Sequence, residues 1–306
     1  VAAEDLRYAR LQTSVENDDI IAFAKAVAVD PEGRTCDVPP LDHKVTAYGL
    51  RGNLEASRRI GRASRLLKTL LQVLTTESKV VVRVNEEGPR CASFTFQNEA
   101  LKREWPGVVE AAKLMGSKQV QGRCTIVGNL CNASPAADSV PAMIAAETTA
   151  RIVGPKGQRD VPVGDIATAP GKTSLAKGEF VASVFLPKRP AHSGDAYLRF
   201  IPRTEMDIAV VGVGVSVTLD GAGKITAARV SLGAVAARAL LVEDAAKALI
   251  GTKGDDAAME KLAAAASAAA KPIDDKRGTK EFRTKVVGVL ARRAAGIAIE
   301  RAGSKA

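Results

Sequence analysis

Hydrophobic and polar positions alternate with a period of two over residues 211–219, where Val211, Val213, Val215, Val217 and Leu219 are separated by glycine, serine and threonine. That period sends one residue class to each face of a strand. Asp220-Gly221-Ala222-Gly223 supplies the turn residues that follow, and residues 225–232 return. With a further strand from Tyr197, the pattern predicts a three-stranded antiparallel meander. Beyond it the pattern becomes helical and rich in alanine over residues 242–249, 257–270 and 279–302, with Gly251 and Pro272 as stops. Such small side chains imply helices packed at close range.

Upstream, residues 106–115 predict a compact helix that Gly116 ends. Residues 150–153 predict a strand, Gly154-Pro155-Lys156-Gly157 a turn, and residues 159–163 the returning partner. Residues 180–186 predict another strand, and residues 188–194 a connection to a second domain. The first hundred residues have a weaker pattern. A short strand near Tyr8 and a helix starting near Ser14 fit residues 6–28, while five prolines and glycines make residues 30–50 irregular. Residues 51–74 predict a basic amphipathic helix, with Ile60, Ala63, Leu67, Leu70 and Leu74 on one face. Residues 79–84 and 92–96 predict strands.

At 306 residues and 46% hydrophobic content the chain can bury two ordinary cores. No run of about 18 apolar residues is present, so no membrane span is expected, and the charged first residues point to a cytoplasmic location. Four scattered cysteines without a Cys-x-x-Cys pair indicate neither a disulfide scaffold nor a zinc site. Their spacing does not suit a two-iron ferredoxin cluster either. The formal charge of +10 favours phosphates or acidic partners. Aromatic residues amount to 4% and do not interleave with basic runs, so nucleic acid is not the expected partner.

Residues 119–138 concentrate small and hydrogen-bonding side chains. Gly122 and Gly128 permit close backbone approach, and Thr125, Asn129, Asn132 and Ser134 bring short donors and acceptors that a phosphate or a polar ring can use. The run then closes onto a helix start near Pro141. A plain glycine-rich turn between two elements explains the same composition. Gly171-Lys172-Thr173 ends like a nucleotide-triphosphate loop, but Ile166 stands where that motif requires glycine.

Residues 121–141, centred on Thr-Ile-Val-Gly-Asn-Leu-Cys-Asn-Ala-Ser-Pro-Ala-Ala-Asp, resemble the second flavin-contacting loop of the FAD-binding medium subunit of molybdenum hydroxylases, the xanthine dehydrogenase and carbon monoxide dehydrogenase family. The resemblance continues through Gly171-Lys172-Thr173, Lys177-Gly178-Glu179, Tyr197-Leu198-Arg199, Arg203, Asp207-Ile208-Ala209, Asp274, Arg277 and Glu281-Phe282-Arg283. It implies an α+β architecture: a vanillyl-alcohol-oxidase-type FAD-binding domain of two α/β subdomains over residues 1–188, then a three-stranded antiparallel sheet with a helix bundle over residues 189–306.

By the same resemblance Thr125, Gly128 and Asn129 lie near the FAD diphosphate, Asn132, Ser134 and Asp138 contact the cofactor around the diphosphate and ribityl chain, and Val181 sits against the isoalloxazine. Arg199 falls where the family usually has a lysine near the flavin, and a cation there favours the anionic reduced form. Structural alternatives are Asp138 as a helix cap, Val181 as strand core and Arg199 paired with Glu205. The implied activity is electron transfer from partner iron-sulfur clusters through FAD to NAD or another acceptor. Substrate oxidation then belongs to a molybdopterin-bearing large subunit, in a dimer of heterotrimers. The family's first phosphate loop has no counterpart between Val29 and Arg90; Gly33-Arg34-Thr35 is a faint echo. That departure keeps a flavin-free structural subunit as an alternative, and the basic helix keeps a nucleic-acid-binding protein as another.

Overall fold

The computed structural model describes residues 80–83, 99–121, 124–203 and 206–304. The predicted elements within residues 6–28, 51–74 and 92–96, and the window lacking the first phosphate loop apart from residues 80–83, lie outside these. In chain order the strands are β1 (Val80–Arg83), β2 (Thr149–Gly154), β3 (Gly157–Pro162), β4 (Ala167–Ala169) and β5 (Lys172–Thr173). They continue with β6 (Phe180–Leu186), β7 (Ser193–Phe200), β8 (Val211–Leu219), β9 (Ile225–Gly233) and β10 (Leu240–Leu241). The helices are α1 (Glu99–Glu104), α2 (Pro106–Lys113), α3 (Lys118–Gln121), α4 (Ile126–Cys131), α5 (Ser139–Ala145), α6 (Glu243–Leu249), α7 (Asp256–Ala269) and α8 (Lys280–Gly303).

Two four-stranded antiparallel sheets organise the described residues, with strand orders β1-β6-β2-β3 and β10-β9-β8-β7. The second contains the predicted meander, and the two-residue strand β10 extends it beyond the three strands expected. Two residues are too few for an alternation to register.

Helix α5 contains seven residues, all buried, between the sheets. It reaches the second sheet at glycines. A Cβ on Gly214 would lie 2.6 Å from the Pro141 carbonyl oxygen, and one on Gly233 2.6 Å from Pro141 Cγ. Gly214 is therefore small because the α5 backbone lies on it, and Gly212 because the Tyr197 hydroxyl does, while the odd valines face the alanine-rich helices on the other side. Close approach recurs at Gly194 in β7, where a Cβ would come within 2.0 Å of the Ala298 carbonyl oxygen in α8. Side-chain caps start the last two helices: Asp255 accepts from Ala258 N–H, and Thr279 from Phe282 N–H. Helix α5 ends with Glu147 N–H bonded to the Ile144 carbonyl and Thr148 N–H to that of Met143, which places Glu147 at φ 55°. This closing pair of bonds is the one that usually recruits glycine.

Strand β7 joins the two halves. Its even residues Ala196, Leu198 and Phe200 pack with the helical bundle. Its odd residues are polar, and Asp195, Tyr197 and Arg199 among them meet the first half. Asp195 accepts from Gly107 N–H at the start of α2, and Arg199 donates to the Leu114 carbonyl just beyond its end. Seven residues of helix rise about 10 Å and four residues of strand about 13 Å, so the two elements run alongside each other at matching length. The outer edge of β7 is covered as well: Tyr197 N–H donates to Glu110, which pairs with Arg301 of α8, and Arg301 donates to the Asp195 carbonyl.

Candidate functional site

The polar run contains a short helix, α4, that sequence pattern did not reveal. Six residues containing a glycine and an asparagine make too weak a helical signal. Helix α4 forms because Thr125 caps it, its hydroxyl accepting from Gly128 N–H at 2.8 Å. Asn132 N–H closes the other end on the Gly128 carbonyl. The chain turns at Ala133 with φ 50°, and the Ala133 carbonyl accepts from Gly171 N–H in the connection between β4 and β5. The Pro135 carbonyl accepts from Ala234 N–H after β9. Both halves of the chain thus hold the loop.

Asn129 fixes the loop to the next helix. Its side-chain oxygen accepts from the Ser139 hydroxyl at 2.7 Å and from Ser139 N–H at 3.4 Å. Ser134 accepts from Ala136 N–H. Gly128, Asn129 and Ser134 are half-buried and Asn132 is exposed, so these four positions and Thr125 stay within reach of solvent along one loop.

Asp138 behaves differently. It stands at the start of α5 without capping it. Its carboxylate turns inward, where Oδ1 accepts from the Tyr197 hydroxyl at 3.0 Å and Oδ2 from Arg199 Nη1 at 2.8 Å. The residue is 7% exposed. Burial raises its pKa from the ordinary carboxylate value to about 6, against the opposing pull of Arg199 and of the Tyr197 hydrogen bond. Burial and the adjacent carboxylate push the Tyr197 phenol well above its usual range. Arg199 is paired with Asp138, a partner sixty-one positions away in sequence. Tyr197 was missed as a member of this site. Its signal was the alternation Asp-Ala-Tyr-Leu-Arg-Phe, in which every polar residue falls on the face of β7 turned to the rest of the protein.

Val181 is buried in β6, in the core beneath the loop. Its backbone hydrogen-bonds Cys131, whose thiol burial pushes up to about 12. The structure therefore brings together Thr125, Gly128, Asn129, Asn132 and Ser134 on one loop, and Asp138 with Arg199 behind it. Among the described residues, no cluster of histidine, cysteine and acidic side chains is suited to a metal ion, and no helix is long and apolar enough to cross a membrane.

The donor set fits a negatively charged nucleotide. Its side chains are short and neutral, and Asp138, the one acidic residue between positions 124 and 138, directs its charge away from them into the pair with Arg199. Backbone N–H groups and amide or hydroxyl donors bind phosphate oxygens when no carboxylate competes.

The architecture is that of a mixed α/β flavoprotein. Residues 80–189 match the FAD-binding domain in molybdopterin dehydrogenase, and residues 196–298 the CO dehydrogenase flavoprotein C-terminal domain. The chain is 33% identical over 233 residues to the carbon monoxide dehydrogenase medium chain of Afipia carboxidovorans, covering 74% of this chain and 79% of that one. It is 26% identical over 211 residues to a putative xanthine dehydrogenase FAD-binding subunit of Escherichia coli, covering 69% and 72%. Among solved structures, CO dehydrogenase from Oligotropha carboxidovorans aligns with a TM-score of 0.68 at 30% identity, over 74% of this chain and 77% of that one. Quinoline 2-oxidoreductase from Pseudomonas putida, at 22% identity and a TM-score of 0.67 over 78% and 81%, shares the fold. The chain belongs to the FAD-binding medium subunits of the molybdenum hydroxylases, the flavoprotein subunits of CO and xanthine dehydrogenase-type oxidoreductases.

Proposed function

We propose that this chain holds FAD on the loop from Thr125 to Asp138 and passes electrons from a partner's iron-sulfur clusters to NAD or another acceptor. The observation that carries this reading is the loop itself, neutral and rich in donors on its open side. The flavin, when bound, supplies the redox chemistry, accepting electrons and releasing them to the acceptor. The chain's own residues bind and orient it. Gly128 and Thr125 bring the α4 backbone to the diphosphate, with Asn129 held beside it by Ser139. Asn132 and Ser134 supply further donors, and Asp138 reaches the ribityl region from behind the loop. Val181 forms the apolar floor against the ring. Arg199 enters as half of a pair with Asp138, so the net charge this pair presents to the ring depends on the Asp138 proton.

The surrounding assembly in this reading has a molybdopterin-bearing large subunit that oxidises the substrate and a small iron-sulfur subunit, as a dimer of heterotrimers in the cytoplasm. The fold in this reading is of the vanillyl-alcohol-oxidase type, its two α/β subdomains followed by the antiparallel sheet and helices, with the division near residue 188. An absorbance spectrum of the purified complex, with acid extraction of the chromophore, tests cofactor and partners together. Stoichiometric FAD and iron-sulfur bands are expected. Iron-sulfur bands with no extractable FAD would establish the flavin-free alternative. Asn129→Ala is expected to lower flavin occupancy, because the side chain and its anchor on Ser139 are lost together; unchanged occupancy would make the loop structural only.

A further inference from the structure

Tyr197 is fixed at both ends before it meets Asp138. Its backbone N–H donates to Glu110, itself paired with Arg301. Its hydroxyl occupies space that exists because residue 212 is glycine, where a Cβ would stand 2.5 Å from the phenolic oxygen. The ring is 2% exposed, and phenylalanine would fill that volume without a polar atom to satisfy. Among the described residues the hydroxyl has one hydrogen-bond partner, Asp138 Oδ1. With Arg199 on Oδ2, neither carboxylate oxygen is free to swing. Asp138 leads directly into Ser139, which donates to Asn129. A continuous set of bonds therefore runs from the second sheet to the centre of the candidate flavin loop.

We propose that Tyr197 is a positioning residue for the flavin, setting Asp138 and through it the loop, so that the second sheet fixes the geometry of the first half's cofactor contacts. This rests on the flavin reading above. It concerns a residue that need not touch the cofactor.

The test is titration of FAD into the full-length apoprotein, followed by flavin fluorescence, for the wild type, Tyr197→Phe, Gly212→Ala, Asp138→Asn and the Tyr197→Phe/Asp138→Asn pair. Tyr197→Phe is expected to weaken binding about fivefold or more, the equivalent of one buried hydrogen bond. Gly212→Ala is expected to act in the same direction by displacing the hydroxyl. In the Asp138→Asn background the tyrosine substitution should add less than about twofold, because its effect passes through the carboxylate. The visible absorption band of flavin bound to Tyr197→Phe should also shift, which a uniform loss of stability does not produce. Wild-type affinity within about twofold in Tyr197→Phe, or a full effect persisting in the Asp138→Asn background, overturns the inference. Failure of the wild type to bind FAD overturns the flavin reading itself, and is recognisable because all variants then behave alike.

Discussion

Replacing Arg199 by methionine keeps the packing stem and removes the charge that faces Asp138. The carboxyl titrates at about 6 in the folded chain against an ordinary value of 3.8, so holding it ionised above pH 6 already costs the fold about 3 kcal/mol. The sign follows from the raised folded value. This group's contribution to stability is greatest below pH 3.8, falls as pH rises through 6, and is then constant. Without Arg199 the folded pKa rises further and the decline continues. Protonation sets a ceiling, since keeping the acid neutral at pH 7 costs about 4.4 kcal/mol in all, leaving about 1.4 kcal/mol as the extra electrostatic loss in the variant. That extra loss grows by about 1.4 kcal/mol per pH unit above pH 6 and vanishes near pH 5, where the wild-type carboxyl is itself mostly protonated. A pH-independent loss of about 1 kcal/mol accompanies it for the missing bond to the Leu114 carbonyl. Urea unfolding across about pH 5 to 8, read by the fluorescence of Trp105, the single tryptophan of the chain, measures both parts. A stability difference that is the same at both ends of that range would refute the reasoning.

Three further outcomes follow from local geometry. Glu147→Gly should stabilise the chain by about 1 kcal/mol, since an exposed residue at φ 55° gains a backbone suited to it and loses only a long ion pair with Arg229; thermal melting measures this, and a lowered midpoint contradicts it. Gly194→Ala should cost more than about 3 kcal/mol, because the obstruction is backbone in α8 and cannot move aside like a side chain; an unaltered denaturation curve would mean that β7 and α8 are further apart. Cys131, buried with its thiol near 12, should resist alkylation by iodoacetamide at mildly alkaline pH until the protein unfolds. Peptide mapping that finds Cys131 modified in the native chain at the unfolded rate counts against its burial.

Much of this architecture could be read from local pattern. The period of two in β8, the turn at Asp220 with the returning strand, and the alanine-rich helices placed the second half to within a few residues, because each signal is contained in the element it describes. What escaped lies in short elements or distant pairs. The two residues of β10 and the six of α4 are below the length at which periodicity speaks. The loop's small and hydrogen-bonding residues marked it as a candidate ligand turn, the family resemblance supplied their flavin roles, and that resemblance named Asp138 and Arg199 separately. Their bond to each other, and to Tyr197, spans about sixty residues and depends on β7 lying beside α2, which no local rule supplies.

The double-faced character of β7 bears on how relatives of this protein can be recombined. A chimera cut at the connection between the two halves would separate Asp195, Tyr197 and Arg199 from the helix and loop that receive them, although the cut falls between the matched segments 80–189 and 196–298. Transplanting the second half alone should give a folded but loosely seated flavin loop. Moving α2, the residues from Thr125 to Ser139 and β7 as one exchangeable block should preserve the seating, so the unit that can be exchanged intact draws on both halves of the chain.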